Sequence, residues 1–200
     1  LSIADSQAQL NDRLGSLKEL FGVLQQVAGD TKAVFEGSVI SSELPGRDEF
    51  LTDLIRVAGA TSELPSIEQL ERLWFEMQRE ATLSGRISSY TADVVAPSGE
   101  TSERSVVRIG GFNAVADSAY LSWDIESARL VELDKQPGSR YTSSINDLTS
   151  ASGDTLTGFW IDPSRGQLLK IMGIYLEKIV KELKWQGICQ LLAFMEIKKV

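Results

Sequence analysis

Along the N-terminal stretch, Ile3, Leu10, Leu14, Leu17, Phe21, Leu24 and Ala28 recur at steps of 7, 4, 3, 4, 3 and 4, interrupted only at Gln7. This is a heptad seam, and it predicts a long helix or helix pair that takes part in a coiled coil. Gly15, Gly22 and Gly29 repeat at seven-residue spacing just after seam positions. Each costs about 1 kcal/mol relative to Ala in a free helix, so the line is either chance or a face that lets another backbone approach closely. Gly29-Asp30-Thr31 offers an alternative break, with Asp30 or Thr31 capping a second short helix. A turn or loop over residues 41–50 follows, then a helix over 48–58 with Leu51, Leu54, Ile55 and Ala58 on its apolar face.

Residues 63–80 read ELPSIEQLERLWFEMQRE. Pro65 and Ser66 mark a helix start, and Ser66 with Gln69 has the spacing of a capping box. Ile67, Leu70, Trp74, Met77 and Ala81 then form one apolar stripe, which predicts a helix over 67–83 packed on the core. Trp74 and Phe75 point about 100° apart, so one can enter the core while the other covers the sheet or a partner.

After Gly85 the period changes from helical to alternating. Segments 86–95 and 103–109 flank the turn signal PSGE and predict a β-hairpin. Gly110-Gly111 breaks the chain, and 112–116, 120–124 and 129–133 read as three further short strands joined by DSA and IESA. The economical arrangement is an antiparallel meander of about five strands. A Ser/Thr-rich stretch at 141–152 suits a weak helix with Ile145 and Leu148 inward, and Phe159-Trp160-Ile161 suits a strand. Asp162-Pro163-Ser164-Arg165-Gly166 is a turn in which Asp162 is placed to cap the helix begun by Gln167, Leu168 and Leu169.

The C-terminal stretch differs in character. Arginine stops at Arg165, and residues 171–200 hold five Lys against three Glu, a charge of +2 that leaves the rest at −10. LEKIVKELKW has Leu176, Ile179, Val180 and Leu183 on one face of an amphipathic helix. The apolar run ICQLLAFMEI is only about ten residues long, short of the ~18–20 that span a bilayer. The expected fold class is therefore α+β: long N-terminal helices in part of a coiled coil, a small antiparallel sheet covered by the 67–83 helix, and a C-terminal amphipathic helix. The expected division is a helical segment over 1–62, an α+β module over 63–172, and a Lys-rich tail over 173–200 that is non-native or truncated. Residues upstream of Gly173 are expected to form a complete fold.

Composition narrows function mainly by exclusion. A net charge of −8 and a pI near 4.7 argue against nucleic acid, which calls for clustered Lys and Arg. The chain has no histidine and only Cys189, which removes histidine triads, histidine metal sites, intrachain disulfides and thiolate clusters. Phosphate-loop, dinucleotide-binding and nucleophile-elbow motifs are absent. Acidic residues are plentiful, yet no spacing selects a carboxylate pair of the glycosidase type. No catalytic, cofactor or metal residue follows from these patterns. A start at Leu1 rather than Met marks a processed or trimmed piece, with no signal peptide in view.

ELPSIEQLERLWFEMQREATLSG, VVRIGGFNAVADSAYL and FWIDPSRGQLL, in that order, resemble the periplasmic N-terminal extension of large ExbB-type proteins of the MotA/TolQ/ExbB proton channel family. LGSLKELFGVLQQVAGDTKAVFEGS and LPGRDEFL upstream are also similar to it, so the resemblance covers roughly residues 10–170. It implies a periplasmic domain of a Gram-negative inner-membrane protein that helps energise TonB-dependent outer-membrane transport of iron or siderophores. The implied partners are TonB- and ExbD-type subunits and further copies of the parent protein. Channel chemistry would lie in transmembrane helices that this chain does not contain, so no conduction residue carries over. The candidate contact residues are Leu10, Leu14, Leu17, Phe21, Leu24 and Phe75. Two alternatives stand beside this reading, a free-standing adaptor that binds through the heptad seam and a carboxylate-based hydrolase.

Overall fold

The computed structural model describes residues 3–60, 65–151, 156–164, 166–169 and 193–198. Its elements in chain order are α1 (Ile3–Glu36), a 3-10 segment (Val39–Ser42), α2 (Glu49–Gly59), α3 (Ile67–Leu83), β1 (Ile87–Val95), β2 (Thr101–Ile109), β3 (Asn113–Ala116), β4 (Ala119–Asp124), β5 (Arg129–Glu132), α4 (Ser139–Ser150), β6 (Leu156–Ile161) and β7 (Ala193–Lys198). They form two units. One comprises Leu1–Glu36 with Gly46–Arg79, the other Gly37–Pro45 with Glu80–Val200, so one boundary falls inside α3.

In the helical unit α1 runs unbroken for 34 residues. Gly29 does not interrupt it, and the Thr31 hydroxyl donates back to the Val27 carbonyl (2.7 Å) within the helix instead of capping a new one. A Cβ added at Gly15, Gly22 or Gly29 would meet nothing within 4 Å, so no other backbone among the described residues approaches these glycines closely. The core of this unit is Ala28, Phe35, Leu51, Leu54 and Leu73, with Leu24, Val27, Phe50 and Ile55 packed around it. Each fully buried Leu or Phe contributes about 1.5–3 kcal/mol. The Arg47 guanidinium lies 4.2 Å from the Phe35 ring centre and is itself buried.

In the second unit β1 to β5 close into a barrel in sequential order. β1 and β2 pair antiparallel over nine positions, from Ile87↔Ile109 to Val95↔Thr101, across the turn at Gly99 (φ +85°). The next three pairings are also antiparallel. Asp117 and Ser118, at φ 48° and 68°, make the two-residue hairpin between β3 and β4. In a five-stranded meander the first and last strands run the same way, so closure needs a parallel pair. It is supplied by Val94↔Leu130 and Val95↔Val131.

One apolar cluster draws on all five strands: Val94, Val106, Ala114, Ala116, Leu121 and Leu130, with Tyr90, Ala92 and Trp123 beside it and Val39 from the 3-10 segment. A barrel this narrow has room inside for side chains only, so this cluster fills the lumen, small alanines opposing larger residues. The cluster of opposite facing joins Val107, Ile109, Val115 and Tyr120 to Ile145 and Leu148 of α4 and to Phe159 and Ile161 of β6, which cover the barrel's outside. β6 pairs antiparallel with β7.

The expected α+β class is overturned by this closed barrel. The strands occupy the anticipated segments, but nine-residue β1 and β2 carry enough twist to bring β5 round to β1, so the five strands do not form an open sheet. Nor do the described residues form an N-terminal coiled coil. α1 packs on α2, whose eleven residues give about three turns of partner and no continuous seam. In the 67–83 helix the buried residues, Leu73 and Glu76, lie in its helical-unit portion, and Leu73 joins that unit's core. The sheet's outer cover is α4 and β6. The amphipathic stretch 176–185 lies outside the described residues; of the C-terminal stretch the described part is β7, a strand, so structure does continue past Gly173.

Candidate functional site

The start of α3 is built as its residues dictate. The Gln69 amide N–H donates to the Ser66 hydroxyl (3.2 Å) while the Gln69 side-chain oxygen accepts from the Ser66 N–H (2.9 Å), a reciprocal capping box. Arg72 lies 4.4 Å from the Phe50 ring centre, and Gln69 reaches Asp53 of α2 at 3.5 Å. Helical geometry then sets Leu73 and Glu76 on one face and Ile67, Leu70, Trp74 and Met77 on a face about 120° away. Leu73 and Glu76 face the core, at 6% and 5% exposure. The other face is open: Ile67 is 71% exposed, Leu70 41%, Trp74 65% and Met77 42%. The stripe expected to pack inward points to solvent.

This orientation follows from what the inner face touches. Leu73 meets Ala28, Phe35, Leu51 and Leu54, a core already filled by α1 and α2. Glu76 is held by Arg79, whose guanidinium donates to it at 3.1 Å. Leu73 and Glu76 are the two residues that α3 buries.

The candidate contact residues do not converge. Leu10, Leu14 and Leu17 lie on α1, and their side chains fall outside the described residues. Phe21 and Leu24 are half-buried, and Leu24 packs into the core shared with α2 rather than forming a free seam. Phe75 is 54% exposed on α3, about 100° from Trp74, and so lies off the open stripe. Sequence reasoning missed that Leu70, Trp74 and Met77 belong to a surface.

The second notable arrangement is polar and lies in the barrel unit. Arg108 is fully buried on β2. Its guanidinium donates to the Glu43 carboxylate (2.6 and 3.0 Å), to the Gly110 carbonyl (2.6 Å) and to the Leu83 carbonyl (3.0 Å). Ser88 donates to the other Glu43 oxygen (2.7 Å), and the hydroxyls of Ser42 and Tyr90 are hydrogen-bonded. Gly110 sits at φ +57°, and a Cβ there would come within 2.4 Å of the Ser84 carbonyl oxygen. On the other side of Val106, Arg104 pairs with Glu132 at 2.8 Å. An ion pair therefore stands to either side of the apolar lumen. A lone arginine inside VVRIGG was the sequence signal for the first of them. With each guanidinium nitrogen donating to an acceptor of the fold, Arg108 has a structural role.

Burial pushes the Tyr90 phenol up to about 12, opposed by its Ser42 hydrogen bond and by Arg108. Burial likewise holds Tyr120 well above the usual phenol range, and its hydroxyl donates to the Trp160 carbonyl at 3.0 Å. Asp162 does what its turn position predicts: its carboxylate accepts from the N–H groups of Ser164 (2.8 Å) and Leu169 (3.1 Å), and its own N–H donates to Asn113 (2.9 Å). A cavity of about 170 Å³ is lined by residues including Val39, Phe112, Trp123, Ile125, Ser164 and Gln167. It is below the ~300 Å³ of ordinary ligand sites, and its lining carries hydroxyls and an amide but no titratable side chain.

Among the described residues, no group of three or more Asp, Glu, Cys or His is placed to hold a metal ion, and no helix is long and apolar enough to cross a membrane. The chain matches no family model, no curated protein and no solved structure.

Proposed function

We propose that this chain is a non-catalytic interaction module, the periplasmic part of an ExbB-type subunit that helps energise TonB-dependent outer-membrane transport. The observation that carries the interaction role is the open face of α3, where Ile67, Leu70, Trp74 and Met77 stand exposed while Leu73 and Glu76 anchor the opposite side. Tryptophan is among the side chains that carry most of the energy of protein–protein recognition, and a capped helix holds its side chains at fixed spacing. Leaving them in water forgoes burial worth about 1.5–3 kcal/mol for each large apolar side chain, a cost that a partner recovers. The ExbB-type assignment rests on the resemblance of the sequence blocks, one of which is this helix.

The test uses the parent protein in cells. A photo-crosslinking amino acid at Phe75, beside the open face, should capture a TonB- or ExbD-type subunit or another copy of the parent, and Trp74→Asp should remove that product. The same variant should impair growth on siderophore-bound iron. If Trp74→Asp changes neither the cross-links nor that growth, the reading fails.

A further inference from the structure

We propose that the free edge of β2, from Thr101 to Ser105, takes up a basic extended segment of another protein as an added antiparallel strand, with a Lys or Arg side chain set against Glu103. The site belongs to the barrel unit and does not rest on the reading of α3.

The edge follows from the register. β2 pairs with β1 along its whole length, but with β3 only at Val107, Arg108 and Ile109. β3 is four residues long and turns back at Asp117 and Ser118, so it ends where β2 runs on. In an antiparallel ladder alternate residues turn both backbone groups toward one neighbour, and the residues between them turn to the other side. Two bonds fix the alternation here. The Ala96 N–H donates to the Glu100 carbonyl at 2.8 Å, and the Gly110 N–H donates to the Arg86 carbonyl at 3.0 Å. The even-numbered residues of β2 therefore bond to β1. Thr101, Glu103 and Ser105 face away from β1, as Val107 and Ile109 do, but they precede the β3 ladder. Each offers one N–H and one C=O where a further strand would lie, and among the described residues no loop backbone bonds to them. Their side chains are exposed, whereas Val107 and Ile109 lie under α4 and β6.

Charge selects the occupant. Glu103 stands directly opposite Asp93 of β1. By the same alternation theirs is a non-hydrogen-bonded pair, in which Cα atoms approach to about 4.5 Å. Both side chains are exposed, and among the described residues neither has a hydrogen bond or ion pair. Like charges so placed destabilise a sheet, and a cation beside them relieves the repulsion. Glu100 adds a further exposed carboxylate at the turn. On the inward side Arg104 already meets Glu132 at 2.8 Å and Asp117 at 3.7 Å, so the favoured segment carries its cations at alternate positions only. A second copy of this edge is a poor occupant, since antiparallel pairing about Glu103 sets that carboxylate against its own image. Main-chain bonds along an open edge, with side chains read at alternate positions, are a general mode of peptide recognition.

The experiment is an amide NMR titration of the full chain with an acetylated, amidated peptide, Thr-Lys-Thr-Lys-Thr-Lys-Thr. Saturable shifts should centre on the amides of Thr101, Glu103 and Ser105, with Kd below about 1 mM in about 50 mM sodium chloride and weaker binding in more salt. Hydrogen exchange at those three amides should slow when the peptide is bound. Glu103→Lys should weaken binding at least ~10-fold, because it sets like charges together. The same variant should melt no lower than the parent, since it gives Asp93 an opposite charge across the ladder. N-methylation of the peptide's lysine amides keeps its charge and removes the donors that face β2, so it should abolish binding. No saturable shift up to about 5 mM peptide would overturn the proposal and leave Glu103 as a charge that merely blunts the edge. Equal binding of the N-methylated peptide, or of one with Glu in place of Lys, would overturn it too. Glu103→Lys leaves α3 untouched, so the Phe75 cross-link should persist in that variant, and the two readings stand or fall separately.

Discussion

In the barrel unit both faces of the sheet are covered, the lumen by its own side chains with Val39 and the outside by α4 and β6. In the helical unit α1 and α2 share a core, but α3 adds only Leu73 to it and leaves five large apolar residues, Ile67, Leu70, Trp74, Phe75 and Met77, in water. Both regions draw on similarly apolar sequence. What differs is the area each has available to bury it. A closed barrel creates two concave or covered surfaces from one sheet, whereas three helices of unequal length make one small core that Phe35, Leu51 and Leu54 already occupy. Surplus apolar surface on a rigid element is then available for another protein.

The largest expected effect sharpens the barrel side of that contrast. Arg108→Ala removes the guanidinium donor from one Glu43 carboxylate oxygen and from two carbonyls, and unfolding free energy should fall by about 3–5 kcal/mol in urea titration. Glu43→Gln should cost less, because the guanidinium keeps Leu83 and Gly110. A loss below about 1 kcal/mol for Arg108→Ala would show that the buried pair does not hold the lumen's end.

Next comes the helical core. Leu54 is fully buried, and Leu54→Ala should cost about 2–5 kcal/mol in the same measurement. Trp74→Ala, on the open face, should change monomer stability by no more than ~0.5 kcal/mol. If Trp74→Ala proves as costly as Leu54→Ala, the two faces of α3 are wrongly distinguished.

A pH effect should follow from the buried phenols. The folded pKa of Tyr90 is raised above its unfolded value near 10, to about 12, and that of Tyr120 moves in the same direction. Their contribution is fully present below pH 10 and is lost as pH rises through the folded values. Each tenfold difference in proton affinity between folded and unfolded chain is worth about 1.4 kcal/mol, so Tyr90 alone should remove roughly 3 kcal/mol of stability across this range. Phenolate absorbance should lag behind that of the urea-unfolded chain over the same range. Ordinary titration of Tyr90 and Tyr120 near pH 10 would contradict their burial.

The smallest effect concerns the capping box. Ser66→Ala removes one side of a reciprocal pair of hydrogen bonds at an exposed helix start and should cost about 1 kcal/mol, with Ser66→Gly milder by most of that amount. Equal losses for the two substitutions would mean that the hydroxyl is not capping.

Features governed by neighbours along the chain were legible from residue types alone. The Ser66–Gln69 box, the hairpin at Pro97-Ser98-Gly99, the turn at Asp117-Ser118, the capping role of Asp162 and the inward pair Ile145 and Leu148 each involve residues a few positions apart. Steric and hydrogen-bonding preferences at that range act the same in any fold. Three features were decided by the tertiary structure. The meander closed because accumulated twist brought β5 to β1, a property of all five strands together. Arg108 found Glu43 across 65 positions, and no local preference specifies such a partner. On α3, the apolar stripe identified a face but not its direction: Leu73 joins the core of α1 and α2, while Trp74 stands 65% exposed. Periodicity in a sequence reports that a helix has two sides; which side turns inward depends on the volume that the other elements leave open.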